Sequence, residues 1–327
     1  MPFMDSTLRP MSTSQVLDRT FHLYRNNFWL FAGIAALPPA VILVAQTGFV
    51  LLAFLVAAPK LNAVATGIVF AAGVILMIIL YLLALSLATG ATVYAVSRVH
   101  LGHAVRIGES YRVIRPQVWR IVRIVITISI RFAGALLIAI AVGFTPPYLL
   151  SKAVVMQSSG NSLPAGLIVG TLTVAAVVVC VIWAIRLYCS YQLAIPACVL
   201  ERLGASACLK RSRFLSKGKC VQRIMLVLFL AGLFGYVLTL AFSIPVFIVA
   251  MFALEKSAGL AFPMTIWQYL SGFIAGTLAG PIATIAIALL YYDERVRKEA
   301  FDLQLMMEAV GEQAPQRMAA AAPPPVG

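Results

Sequence analysis

The sequence predicts an all-α, polytopic integral membrane bundle, and three observations predict it. Hydrophobic residues make up 62% of the 327 positions and charged residues only 11%, against about 45–50% and about 25% in water-soluble domains. Six stretches stay apolar over the roughly 20 residues that a helix needs to cross hydrocarbon. The basic residues collect in alternate connections, the pattern by which membrane proteins orient themselves. Mean hydropathy is +0.97.

The first segment, "MPFMDSTLRPMSTSQVLDRT", has no basic region leading into an apolar run and a small-residue cleavage site, so no removable signal peptide is expected. Leu17, Phe21, Tyr24 and Phe28 then recur at the spacing of one helical face, which predicts an amphipathic helix lying in the interface. The first span covers 28–58, with Pro38 and Pro39 predicting a kink. The second covers 63–96. In the connection after it, Ile107, Tyr111, Ile114 and Val118 repeat the earlier spacing 90 residues on, with Arg115 matching Arg25 and Trp119 matching Trp29. The third and fourth spans cover 121–146 and 165–199.

A further offset of 102 aligns His100–Gly102 with Arg202–Gly204, and Ser110 with Ser212. Here Ser206, Lys210, Arg213 and Lys217 form a polar stripe with Cys208 and Leu215 opposite. The fifth and sixth spans cover 224–254 and 263–292. We therefore expect one membrane domain, 1–310, of three units (12–98, 99–200 and 201–292), each an interfacial helix followed by a helical hairpin. A cytoplasmic helix over 293–310 follows, its apolar side made by Val296, Ala300, Leu303, Met307 and Val310. Asp293 and Arg297, Glu294 and Lys298, and Arg295 and Glu299 have the four-residue spacing of surface ion pairs. The Pro/Ala-rich tail, 311–327, is expected to be disordered.

Three basic residues precede the first span, six lie in 98–123, seven in 201–223 and four after the last span. The alternate connections hold Lys60, Lys152 and Lys256. This asymmetry predicts that both termini and both basic connections are cytoplasmic. The formal net charge of +14, a nucleic-acid signal in a soluble protein, is thus accounted for by topology, and nucleic acid is not an expected partner. Arg106, Arg112, Arg115, Arg120, Lys210, Arg213 and Lys217 are the candidates for contact with anionic lipid headgroups.

Arg131 and Arg186 fall inside apolar stretches, where a charge is costly unless it faces protein or water. Two readings stand: snorkelling with hydrogen bonds to backbone carbonyls, or a crevice that takes an anionic group such as a lipid phosphate. The polar run "YCSYQ", 188–192, follows Arg186. Gly272, Gly276 and Gly280 form a small-residue ridge suited to close helix packing. His100 and His103 lack the further ligands a metal site needs, so no metal is expected, and no cofactor. Five cysteines without a CxxC pair read as small buried hydrophobes. No carboxylate lies within a span, and no GxSxG, HExxH, P-loop or GxGxxG occurs in a suitable context.

Three stretches, "LRPMSTSQVLDRTFHLYRNNF" before the first span, "ACLKRSRFLSKGK" before the fifth and "YYDERVRKEAFDLQLM" after the sixth, taken in order, resemble the bacterial membrane domain of glycerophosphoryl diester phosphodiesterases, which also occurs as a stand-alone protein. The resemblance runs from Leu8 to about Glu308. It implies a multi-span helical domain in the bacterial cytoplasmic membrane. The catalytic barrel of those enzymes would need some 200 further residues, with histidine and clustered carboxylates around a divalent metal, so phosphodiesterase activity is not expected here. The functional expectation is a non-catalytic membrane protein that binds anionic lipid, a partner protein, or both, through a basic cytoplasmic interface. Alternatives are a transporter or channel for a lipid-like or anionic solute, with Pro38/Pro39, Pro196, Pro245 and Pro281 as helix breakers, and an accessory component of phospholipid metabolism.

Overall fold

The computed structural model describes residues 11–56, 63–156, 163–253 and 261–299. Eleven α-helices succeed one another among them: α1 (Thr13–Asn26), α2 (Phe28–Ala35), α3 (Leu37–Val56), α4 (Ala63–His100), α5 (Ile107–Ile114), α6 (Val118–Met156), α7 (Leu163–Ser190), α8 (Ala194–Glu201), α9 (Ala205–Leu215), α10 (Cys220–Ala253) and α11 (Ala261–Glu299). Five are long and apolar enough to cross a membrane, and α2 with α3, bent by 41° at their junction, make a sixth span. This is a polytopic all-α membrane bundle.

The α2–α3 bend falls where the sequence predicts a kink. Proline has no N–H, so Pro38 leaves the carbonyl of Ile34 without its usual donor. Tyr111 of α5 supplies one, its hydroxyl donating to that carbonyl at 2.6 Å. Pro245 and Pro281, by contrast, sit inside the unbroken α10 and α11. Near each, an aromatic donor reaches a carbonyl three residues earlier: Trp267 Nε1 to Phe242 O at 3.2 Å and Tyr24 Oη to Leu278 O at 2.8 Å. Such rescue matters in lipid, where no water completes a broken ladder. The fourth span is present over Val169–Glu201, with a break that the sequence did not show. A turn at 191–193 divides it into α7 and α8, because Pro196 cannot bond back to Gln192 and the last carbonyl of α7, on Ser190, is taken by Ser212 and Ser216 at 2.8 and 3.0 Å.

α1 begins at a capping box. Ser12 Oγ accepts from the backbone N–H of Gln15, and the Gln15 side chain accepts from the backbone N–H of Ser12. Its inward face is Val16, Thr20 and Leu23, one residue earlier in the turn than the Leu17–Phe28 stripe, and Phe21 is 46% exposed. The reason is close packing on α11: Thr20 is buried because its hydroxyl bonds Val16 O at 2.7 Å, leaving a small, satisfied side chain at the contact. Ser110 in α5 and Ser212 in α9 are also fully buried hydroxyls, and offsets of 90 and 102 relate the three. α5 packs on α4, α9 on α8 and α6, and α1 on α11. The short helices therefore rest on the bundle. Where α5 and α6 meet α4, glycine is required: a Cβ on Gly90 would lie 2.8 Å from Ile121 and 2.9 Å from Ile114.

The hydrophobic core gathers at this end, around residues such as Phe31, Ile34, Ile114, Ile121, Leu215 and Leu289. Beyond it the antiparallel pairs α3–α4, α6–α7 and α10–α11 extend with little interior. Only 6% of the apolar window of α4 is buried, against 50% of that of α11, which makes α11 the central post. Trp29 and Trp119, 90 residues apart, are 83% and 68% exposed, the disposition of aromatic side chains at a membrane–water boundary.

Candidate functional site

The stretch 201–223 sorts its charges by helical phase. α9 is three turns long, and its buried side carries Cys208, Ser212 and Leu215. Lys210, Arg213 and Lys217 stay exposed. Gly218, at φ +81°, makes the left-handed turn that releases the chain into α10. Because Ser212 and Ser216 both cap Ser190, α9 is fastened beside the end of α7. That docking brings Arg186 and Trp183 of α7 against Lys210, Arg213, Phe214 and Lys217, around an open cleft of about 700 Å³. Among the described residues four cations line it and no carboxylate does. Trp183, Leu187, Phe214 and Val221 give it apolar surface as well.

Arg131 and Arg186 part company. Arg186 lines the cleft, whereas Arg131 donates through Nη1 to the hydroxyl of Tyr191 and stacks on its ring, 4.9 Å from the centroid. The same ring, buried in the turn after α7, receives Arg213 at 5.7 Å. Tyr191 thus joins an intramembrane arginine to the cleft, through contacts of about 0.5–2 kcal/mol each. The polar run after Arg186 supplies the two residues that matter here: Ser190, which holds α9, and Tyr191, which holds Arg131.

Of the other candidate cations, Arg106, Arg112, Arg115 and Arg120 are exposed on α5, the 3₁₀ turn and the start of α6, outside the cleft. Arg106 is the N-cap residue of α5, and Arg120 donates to Arg202 O at 3.1 Å, tying α6 to the α8–α9 turn. Among the described residues none of the seven headgroup candidates is paired with a carboxylate.

Arg211 and Arg223 belong to the same stretch but point inward. Arg223 donates to Asp293 at 2.6 Å, Glu294 at 2.9 Å and Met11 O at 2.9 Å. Arg211 bonds Glu201 at 3.2 Å and Glu299 at 2.6 Å. These two arginines are therefore not headgroup-facing, as a cytoplasmic basic cluster would have them. The α11 pairs also differ from expectation. All three form, at 2.9, 3.3 and 3.4 Å, yet Asp293 and Glu294 are 2% and 3% exposed. Their carboxylates lie in the interior, while Arg297 and Lys298 reach them from the exposed side. Asp293 also accepts the Met11 N–H at 2.6 Å, fixing the start of α1. Lys298 donates to Leu215 O and Lys217 O, fixing the end of α9. Desolvation opposes the Arg211 charge, but its bonds to Glu299 and Glu201 prevail and raise its pKa above the usual arginine value.

Glu201, Arg211, Arg223 and Tyr291, whose hydroxyl donates to Glu201, were not singled out by the sequence. One signal was available: Glu201–Arg202 and Glu294–Arg295 repeat at the ends of two outgoing helices. Val296 of the expected apolar side is partly buried, but Ala300, Leu303, Met307 and Val310 lie outside the described residues, as do Lys60, Lys256 and the tail. Among the described residues His100 stacks on Tyr292 at 5.7 Å, and no group of three or more possible metal ligands occurs. The cysteines are free thiols, and four are buried. Gly276 and Gly280 approach Pro39 and Ala35, a Cβ on each lying 3.0 and 3.7 Å away, while Gly272 has open space.

The segment leading into α1, α9 and α11 meet in this ion network, through Met11, through Arg211 and Leu215, and through Asp293, Glu299 and Lys298. In class, the chain is a multi-pass helical membrane protein with a cationic cleft at its packed end. Compared with known proteins, it matches no family model, no curated protein and no solved structure.

Proposed function

We propose that this protein is a non-catalytic module of the bacterial cytoplasmic membrane, with both termini inside, that holds an anionic lipid headgroup in the cleft between α7 and α9. The observation that carries this reading is the meeting of Arg186 with Lys210, Arg213 and Lys217 around one cleft whose wall has no carboxylate. Cations near a membrane surface contribute about 1 kcal/mol each toward anionic lipid. Arginine adds forked hydrogen bonds that match a phosphate. Trp183, Leu187, Phe214 and Val221 offer the adjoining apolar surface that glycerol and acyl chains need. Arg106, Arg112, Arg115 and Arg120 extend the same charge along α5 and α6, over the same leaflet.

The four-fifths of basic residues outside the alternate connections and the spans support the inside orientation. The order of the three resembling stretches supports a counterpart of the glycerophosphoryl diester phosphodiesterase membrane domain. The three buried hydroxyls at related offsets support a three-unit division.

Native mass spectrometry tests the reading. The protein, released from detergent after equilibration with equal phosphatidylglycerol and phosphatidylcholine, is expected to retain phosphatidylglycerol. Replacing Arg186, Lys210, Arg213 and Lys217 by glutamine should remove that preference. Equal retention of both lipids by the unaltered protein contradicts the proposal.

A further inference from the structure

A second cavity, of about 510 Å³, lies between α3, α4 and α11, away from the cationic cleft. Its volume is in the range of about 300–1,000 Å³ that small-molecule sites occupy. It is long and narrow: its wall on α11 runs from Gln268 to Thr284, about 24 Å at roughly 1.5 Å per residue. Among the described residues no Lys, Arg, Asp or Glu lines it.

The α2–α3 break creates this space. Ala35 meets Gly280 and Pro39 meets Gly276, so the two elements run antiparallel in a fixed register. Continued toward the far end of the bundle, that register sets Gln46 level with Tyr269. There the cavity is lined by Gln46, Gln268 and Tyr269, and farther in by Tyr81. Gln268 directs its amide N–H to Ser243 Oγ at 3.4 Å. The side chains of Gln46, Tyr269 and Tyr81 have no hydrogen-bond partner among the described residues. Polar groups at membrane depth are ordinarily satisfied inside the protein. Three that instead border one slot ask for a partner in it. The remaining wall is glycine, proline, aliphatic side chains, Phe273 and Thr284, with Thr89 and Thr92 turned back on their own helix at 2.7 and 2.8 Å.

We propose that this slot binds one hydrocarbon chain of a neutral amphiphile, with the hydroxyl, ester or amide of its head on Gln46 and Tyr269. An anionic head is disfavoured, since no cation lines the slot to offset its desolvation. The glycine ridge then has two tasks. Gly276 and Gly280 bring α11 against α2 and α3, and Gly272 leaves room for the chain.

The test uses the full-length protein in phosphatidylcholine vesicles containing a diacylglycerol with a diazirine on one acyl chain, with photolabelled peptides mapped afterwards. Label is expected on α3, α4 and α11 around Gln46 and Gly272. Gly272→Leu grows a side chain into open space and should abolish it. Gln46→Leu, which keeps the bulk and removes the head's partner, should weaken labelling about tenfold, the worth of one hydrogen bond of about 1.4 kcal/mol. Gly232→Leu, on the exposed face of α10, should leave labelling unchanged. Should Gly272→Leu prevent folding, Gln46→Leu decides alone. Undiminished labelling of the slot variants, label spread evenly over all exposed helices, or equal labelling by a phosphatidylglycerol analogue overturns the proposal.

Discussion

Two sets of cations leave the same 23-residue stretch and meet opposite fates. Arg211 and Arg223 turn into the bundle and end on four carboxylates, Glu201, Glu299, Asp293 and Glu294. Lys210, Arg213 and Lys217 turn outward to a cleft without an acid. Adjacent helical residues are separated by about 100°, so Lys210 and Arg211 already point to different surroundings. Net basicity therefore says little about which charges are available. What separates the two sets is whether acids come back to meet them, three of the four from α11, 70 to 88 residues away in sequence.

The comparison can be broken at several points. The largest effect is expected at Arg223. Replacing it with leucine removes the cation shared by buried Asp293 and Glu294 and leaves them only Arg297 and Lys298, and breaking a buried pair from one side costs about 3–5 kcal/mol. Thermal unfolding in detergent should show a large drop in midpoint. Adding Asp293→Asn and Glu294→Gln should recover part of it, because the buried charges that lost Arg223 are then gone.

Next comes Tyr191. Tyr191→Leu removes the stack for both Arg131 and Arg213 and the hydroxyl that holds Arg131, so a loss of about 2–3 kcal/mol is expected. Tyr191→Phe keeps the ring and should cost only about 1 kcal/mol. Equal losses for the two variants would show that the ring contributes nothing. Ser212→Ala is smaller again. It removes one of two donors to Ser190 O, at about 1 kcal/mol, and hydrogen exchange should report faster opening of α9. Smallest of all, glutamine at Lys210 alone is expected to change stability by no more than about 0.5 kcal/mol.

Much of the architecture was legible because it depends on local composition. Twenty apolar residues in a row mark a span wherever they occur, and Pro38 beside Pro39 marks a bend. The stripe Lys210, Arg213, Lys217 was legible for the same reason, since helical phase is a local property. So were the four-residue pairs of α11, though not their burial, which comes from packing against α1 and α10. The contacts of Arg223 and Arg211 were hidden because they depend on how α11 returns beside α9 and α10. The turn at 191–193 was hidden too: the polar run 188–192 interrupts the apolar stretch only briefly, and what takes the last carbonyl of α7 is Ser212 of α9 with Ser216 just after it. Arg131 and Arg186 look alike in sequence, and only the location of Tyr191 assigns them different partners.

The most direct measurement compares two triple variants in nanodiscs containing phosphatidylglycerol. Lys210→Gln/Arg213→Gln/Lys217→Gln should lose about a hundredfold in affinity for the anionic lipid, at about 1 kcal/mol per charge, and lower its thermal midpoint only by the worth of the Arg213–Tyr191 stack. Arg211→Gln/Arg223→Gln/Lys298→Gln should lose thermal stability, while the molecules that remain folded bind the lipid as before. If both variants lose lipid affinity alike, or if the first set unfolds the protein, the division of this stretch into lipid-facing and interior charges is wrong.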